Sequence, residues 1–132
     1  MVGMRVTLVI TMGLVFASIS CVRPNPRAVP LIPEASTARE ALDLALRSWV
    51  QGGPKTQTIG EVIVQHVDRR RAEGDQPIAY QITGAVREDW ARGFVVRLTW
   101  PDQAEPETVT YLVAGGDPIW IMRREEIDLL LH

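Results

Sequence analysis

The spacing of the hydrophobic residues changes once along this chain, and that change limits the fold more than any other feature. Between 37 and 49, Ala38, Ala41, Leu42, Ala45, Leu46 and Trp49 recur at three and four residues, while Arg39, Glu40, Asp43 and Arg47 lie mainly on the other side. That is the pattern of a helix with one core face. Thr37 and Glu40 stand at capping-box spacing, which predicts the start of the helix there. Gly52-Gly53-Pro54 predicts its end, since glycine takes the left-handed cap conformation and proline cannot continue a helix.

Beyond Pro54 the period is two. Val/Ile-rich 61–67, then 77–86 through Ile78, Tyr80 and Ile82, and 93–100 through Phe94, Val96, Leu98 and Trp100 read as strands. Two more are predicted at 108–114 and 119–122, joined by a tight hairpin at Gly115-Gly116-Asp117. The links at 88–92 and 101–106 are short and polar, so consecutive strands are expected to run antiparallel. The expectation is an α+β domain over 36–132, with one long N-terminal helix packed on a four- to five-stranded antiparallel sheet and a short C-terminal helix. The order of helix first and strands after resembles the cystatin-like class, which includes the nuclear-transport-factor and ketosteroid-isomerase relatives. The ending from Tyr111-Leu112-Val113 through Asp117-Pro118-Ile119-Trp120-Ile121-Met122-Arg123-Arg124-Glu125-Glu126-Ile127 is similar to that of small uncharacterised exported bacterial proteins.

Ahead of the domain lies an N-terminal address. Arg5 supplies positive charge, Val6 to Phe16 supply apolar length, and Ser18 and Ser20 are small residues before Cys21, the only cysteine; together they have the parts of a secretory signal over 1–20. The run is shorter than the roughly 20 apolar residues that a membrane span needs. It resembles the relaxed lipobox of bacterial lipoproteins, which implies a diacylglyceryl thioether on Cys21. Two acyl chains hold a membrane where one does so only marginally. In such lipoproteins Val22, rather than Asp, favours the outer membrane where the cell has one. From Cys21 to Ala35, prolines at 24, 26, 30 and 33 predict an extended tether. With no second cysteine for an intrachain disulfide, the domain has to stand on its core.

Removing Arg5 with the signal leaves 13 basic and 16 acidic side chains. So mild a balance makes no electrostatic case for nucleic acid. His66, near Asp68, is the one histidine away from the terminus and the one candidate for acid–base work, and the bland alternative is a strand histidine satisfied by its surroundings. Ser36 and Ser48, the only serines after the signal, lie outside any Gly-x-Ser-x-Gly motif. No His-x-x-x-His or Cys-x-x-Cys spacing occurs, so neither a metal nor a cofactor is expected. Arg69-Arg70-Arg71 is interleaved with Asp68, Glu73 and Asp75 and reads as a solvated turn. Glu125, Glu126 and Asp128 lack a calcium-loop spacing and suit the first turn of a terminal helix.

The strand at 119–122 is apolar on both sides, with Trp120 and Met122 opposing Ile119 and Ile121. A strand of that kind must be covered twice. The terminal helix from Ile127 is expected to cover the outer side; the alternative is a partner, for which Trp120 and Met122 are the candidate binding residues. The sequence therefore leads to the expectation of an exported lipoprotein, held to a membrane through Cys21, whose domain is a noncatalytic binding or assembly module with an envelope protein as partner. The alternatives are a pocket enzyme of isomerase or dehydratase type using Tyr80, Tyr111 or His66, and a structural subunit of an envelope complex.

Overall fold

Helix α1 (Ala35–Val50) opens the domain in the structure, a computed structural model that describes residues 32–131. The signal, Cys21 and the tether as far as residue 31 lie outside the described residues. The helix begins two residues before the predicted capping box: Glu34 is the N-cap, without a side-chain cap bond, and Thr37 is already in the first turn. Its end falls where the glycines place it. Gly52, at φ +74, turns the chain, and the N–H groups of Gly52 and Gly53 bond the carbonyls of Trp49 and Ser48. This is the paired closure of a Schellman cap.

Six strands follow: β1 (Thr56–Ile59), β2 (Val62–Val67), β3 (Ala79–Val86), β4 (Arg92–Thr99), β5 (Glu107–Gly115) and β6 (Ile119–Arg123). A one-turn helix α2 (Arg69–Ala72) separates β2 from β3, and helix α3 (Arg124–Leu131) follows β6 directly. The strands form one sheet in the order β1-β2-β6-β5-β4-β3. The α+β class, the long first helix and the short last one are as expected, but the sheet has six strands rather than four or five, and it is mixed rather than antiparallel. Strand β1 has a single large apolar residue, Ile59, so alternation does not reveal it; it exists by pairing with β2 across Gly60, whose φ is +60. Strand β2 does not neighbour β3. It runs parallel to β6, with Val64 opposite Ile119 and His66 opposite Ile121, and this pairing places β6 in the middle of the sheet.

Helix α1 lies across one face, the inner one. Ala38, Ala41, Leu42, Ala45, Leu46 and Trp49 meet Val64, Phe94, Val96, Leu98, Trp100, Val109, Tyr111, Val113, Ile119 and Ile121. The three alanines let the helix backbone approach the sheet, and the large leucines and aromatics fill the space to either side. The N-terminus of α1 sits by the β3–β4 connection, where Arg92 Nε donates to the carbonyl of Pro33 at 2.9 Å. Its C-terminus sits at the opposite end of the sheet, against the last residues of β2 and β4, where Trp49 meets His66 and Trp100 edge-on at ring distances of 5.2 and 5.5 Å.

Candidate functional site

At the end of the sheet near the α1 C-terminus, the inward phase of three strands becomes polar. In β2 it runs Val64, His66 and then Asp68; in β5 Val109, Tyr111 and Val113; in β6 Ile119, Ile121 and Arg123. Asp68 is the centre of the group. Its Oδ1 accepts the N–H of Arg70 at 2.9 Å, which caps α2. Its Oδ2 accepts the Tyr111 hydroxyl at 2.5 Å and Arg123 Nε at 2.8 Å. The side chains of His66 and Asp68 are wholly buried, with His66 Nε2 at 3.7 Å from the same Oδ2.

The tautomer of His66 follows from its other nitrogen. Nδ1 lies 2.8 Å from Nη1 of Arg71, and a guanidinium only donates, so Nδ1 accepts and the ring proton sits on Nε2, towards Asp68. Burial, with the Arg71 and Arg123 charges against the pull of Asp68, pushes the imidazole below its ordinary value. The ring is neutral. Burial acts to raise the Asp68 carboxyl, but the nearby His66 ring N–H, the bond from Tyr111 and the Arg123 guanidinium outweigh it and hold the group far below the usual carboxylate range. The Tyr111 phenol, buried and facing Asp68, is pushed well up.

Arg71 occupies a position that the solvated-turn reading of the arginine run did not foresee. It is buried, and among the described residues no carboxylate lies within ion-pair distance of it. Its guanidinium instead donates to the carbonyls of Ala45, Gly53 and Pro54 at 3.2, 2.8 and 2.7 Å. These carbonyls crowd the C-terminal end of α1, where the helix dipole is negative, and they stand in for a counter-ion. Arg70 is half-buried as well, stacked 3.6 Å over the Trp100 ring and paired with Asp75 at 3.0 Å. Only Arg69 matches the expected exposure.

Arg123 ties this interior to α3. Beyond Asp68, it meets Glu107 at 3.2 Å and Glu125 at 3.1 Å, while Glu126, at 3.6 Å, also accepts the N–H of Arg69. The two glutamates stand in the first turn of α3, as anticipated, and their partners are arginines. Among the described residues no group of three or more His, Cys, Asp or Glu side chains is placed to hold a metal ion. None of their helices is long and apolar enough to cross a membrane. The enzyme candidates are divided: His66 and Tyr111 share the buried group, whereas Tyr80 donates to the carboxylate of Asp43 on α1. Surface clefts of about 340 Å³, between α2 and α3, and about 250 Å³, beside the end of β2, flank the group.

The other face of the sheet carries Trp120 and Met122. Parallel pairing sets Trp120 beside Gln65 and Met122 beside Val67, so Ile63, Val67, Trp120 and Met122 share the outer side of β2 and β6. Helix α3 does not close over them. It lies by β5, where Arg124, Glu125 and Asp128 face Thr108 and Thr110, and it leaves Trp120 41 % and Val67 46 % exposed. Sequence reasoning singled out Trp120 and Met122 but missed Ile63 and Val67, which join them only through the β2–β6 pairing. Compared with known protein families, with curated proteins and with solved structures, the chain matches none.

Proposed function

We propose that this chain is a lipid-anchored protein of the bacterial cell envelope, tethered through Cys21, whose cystatin-like domain is a noncatalytic binding or assembly module. The observation that carries the reading is the outer face of β2 and β6, where Ile63, Val67 and Trp120 stand exposed beside the half-buried Met122. An exposed sheet face with a central tryptophan and no enclosing walls suits another protein surface better than a small molecule, which needs a pocket. The partner fitting this reading is therefore an envelope protein.

The buried histidine supports the same reading. His66, Asp68 and Tyr111 are in contact, which is what favours the isomerase or dehydratase alternative, but each is sealed from solvent, and the Nδ1 of His66, the Tyr111 hydroxyl and both oxygens of Asp68 are engaged by protein partners, leaving His66 Nε2, 3.7 Å from Asp68, without a hydrogen bond. They bond elements of the fold to one another. A photo-crosslinking residue at position 120, in cells that export the full chain, is expected to give a discrete adduct that Val67→Glu removes. The same probe at Arg97, an exposed position on β4, should give none. Equal adducts from both positions, or none from 120, would overturn the assignment of this face; a fatty-acid label that survives Cys21→Ala would overturn the anchor.

A further inference from the structure

The end of the domain where the chain enters carries a second exposed tryptophan, off the β2–β6 face. Trp90 sits in the β3–β4 connection and is 41 % exposed, in a segment pinned on both sides. On one side Glu88 is held by Arg124 at 2.8 Å. On the other, Ala91 is buried and Arg92 holds the Pro33 carbonyl at 2.9 Å. The bond to Pro33 also fixes the entering chain beside this connection, and Ile32, just before it, is 42 % exposed. Two apolar side chains thus project at the same end, on a backbone held at three points.

We infer that Trp90 and Ile32 contact the lipid surface to which the domain is tethered. The inference rests on the lipid-anchor reading, because it is the anchor that keeps this end near a bilayer. Pro33 stands twelve positions after Cys21, and at no more than about 3.5 Å per position the span allows a reach of about 40 Å. Tryptophan is the side chain best suited to the boundary, since its ring takes the apolar side and its N–H the wet one. The occupant is lipid rather than protein because the feature is a protruding tip at the tether's point of entry. Charges of both signs surround it, with Arg87 and Arg92 against Glu34 and Asp89, so the contact does not depend on anionic headgroups. With this end on the membrane, the strands rise from the bilayer and the β2–β6 face looks sideways along it, open to a neighbouring envelope protein.

Tryptophan quenching tests the contact. The full chain, expressed in a host that processes lipoproteins, is reconstituted in vesicles of zwitterionic phosphatidylcholine with brominated acyl chains, and a fatty-acid label reports the state of Cys21. The expected result is quenching that persists in Trp120→Phe and is lost in Trp90→Phe, with the same far-ultraviolet dichroism for both variants and no increase when anionic lipid is added. Quenching that follows Trp120, that requires anionic lipid, or that is absent while Cys21 is labelled, overturns the contact. If Cys21 carries no label, the anchor reading falls by itself; Trp90 quenching in that sample would still uphold the contact, and its absence would end both.

Discussion

Adjacent arginines in this chain have different physical lives, and their spacing on the one-turn helix α2 accounts for it. Arg69 points to solvent, Arg70 lies over Trp100, and Arg71 turns inward beneath the end of α1. Removing Arg71 would leave the Nδ1 of His66 without its donor in a buried place and take a charged donor from the part-buried carbonyls of Gly53 and Pro54. Arg71→Ala is therefore expected to destabilise by about 3 kcal/mol or more, the range for stripping a buried charged hydrogen-bonding group. Arg70→Ala should cost about 1 kcal/mol, through the lost stacking on Trp100 and a half-exposed ion pair. Urea midpoints on purified protein measure both. A milder loss for Arg71 than for Arg70 would reverse the assignment of which arginine holds the fold. The signal for the buried group was present in the sequence as phase, because Arg123 continues the inward series of Ile119 and Ile121, as His66 and Asp68 continue that of Val64. Read by type alone, a charged residue at a strand end passes for a solvated one.

Among the elements, those with a strong period were legible and those that depend on a distant neighbour were not. Helix α1 announced itself by its apolar stripe, and β4 and β5 by alternation, to within about two residues. Strand β1, with Ile59 its only large apolar residue, carries no alternation of its own. The β2–β6 pairing cannot be seen in either strand, since parallel neighbours are chosen by the packing of α1 on the inner face. The β5–β6 hairpin was legible for a local reason: Gly115 has φ +89, and a Cβ there would stand 2.7 Å from the carbonyl oxygen of Pro118. Gly115→Ala is expected to cost about 1 to 3 kcal/mol from the positive φ and the close approach, and to broaden the amide resonances of β6 and α3. A neutral thermal melt would show that the hairpin relaxes in another way. Helix α3 is the element whose predicted role changed most, from covering the outer face to joining Arg123 and Arg69 through its glutamates.

For the molecule as a whole, the buried imidazole sets how stability varies with pH. His66 is neutral in the fold and its pKa is lowered, so the unfolded chain takes up a proton before the folded one does as pH falls through about 6.5. Its contribution is complete above that value and is lost below it. Around the ring, Arg71 of α2, Tyr111 of β5 and Arg123 of β6 keep their protons throughout this range, and Asp68 remains ionised because its pKa is lowered too. Glu126 acts in the opposite sense: burial raises its carboxyl, so it favours the fold on acidification, but only near the ordinary carboxylate range of about 4.3. Denaturation midpoints should therefore fall between pH 7.5 and 5, with His66 Nε2 protonated and Nδ1 unprotonated in nitrogen-15 spectra at the upper end. A midpoint that stays level or rises on acidification would contradict the neutral, Arg71-bonded ring.

The central place of β6 also has a meaning in time. The chain is made from its N-terminus, and its last strand must slide between β2 and β5 before the sheet is whole; Asp68 waits for Arg123, 55 positions further on. Contacts so far apart in sequence form slowly, and a nascent chain that has not reached Ile119 has neither the middle strand nor the arginine that satisfies the buried carboxylate. Such a chain stays open for as long as its end is held back. If the chain is exported as proposed, that late closure would keep the domain in a passable form while it threads a narrow channel.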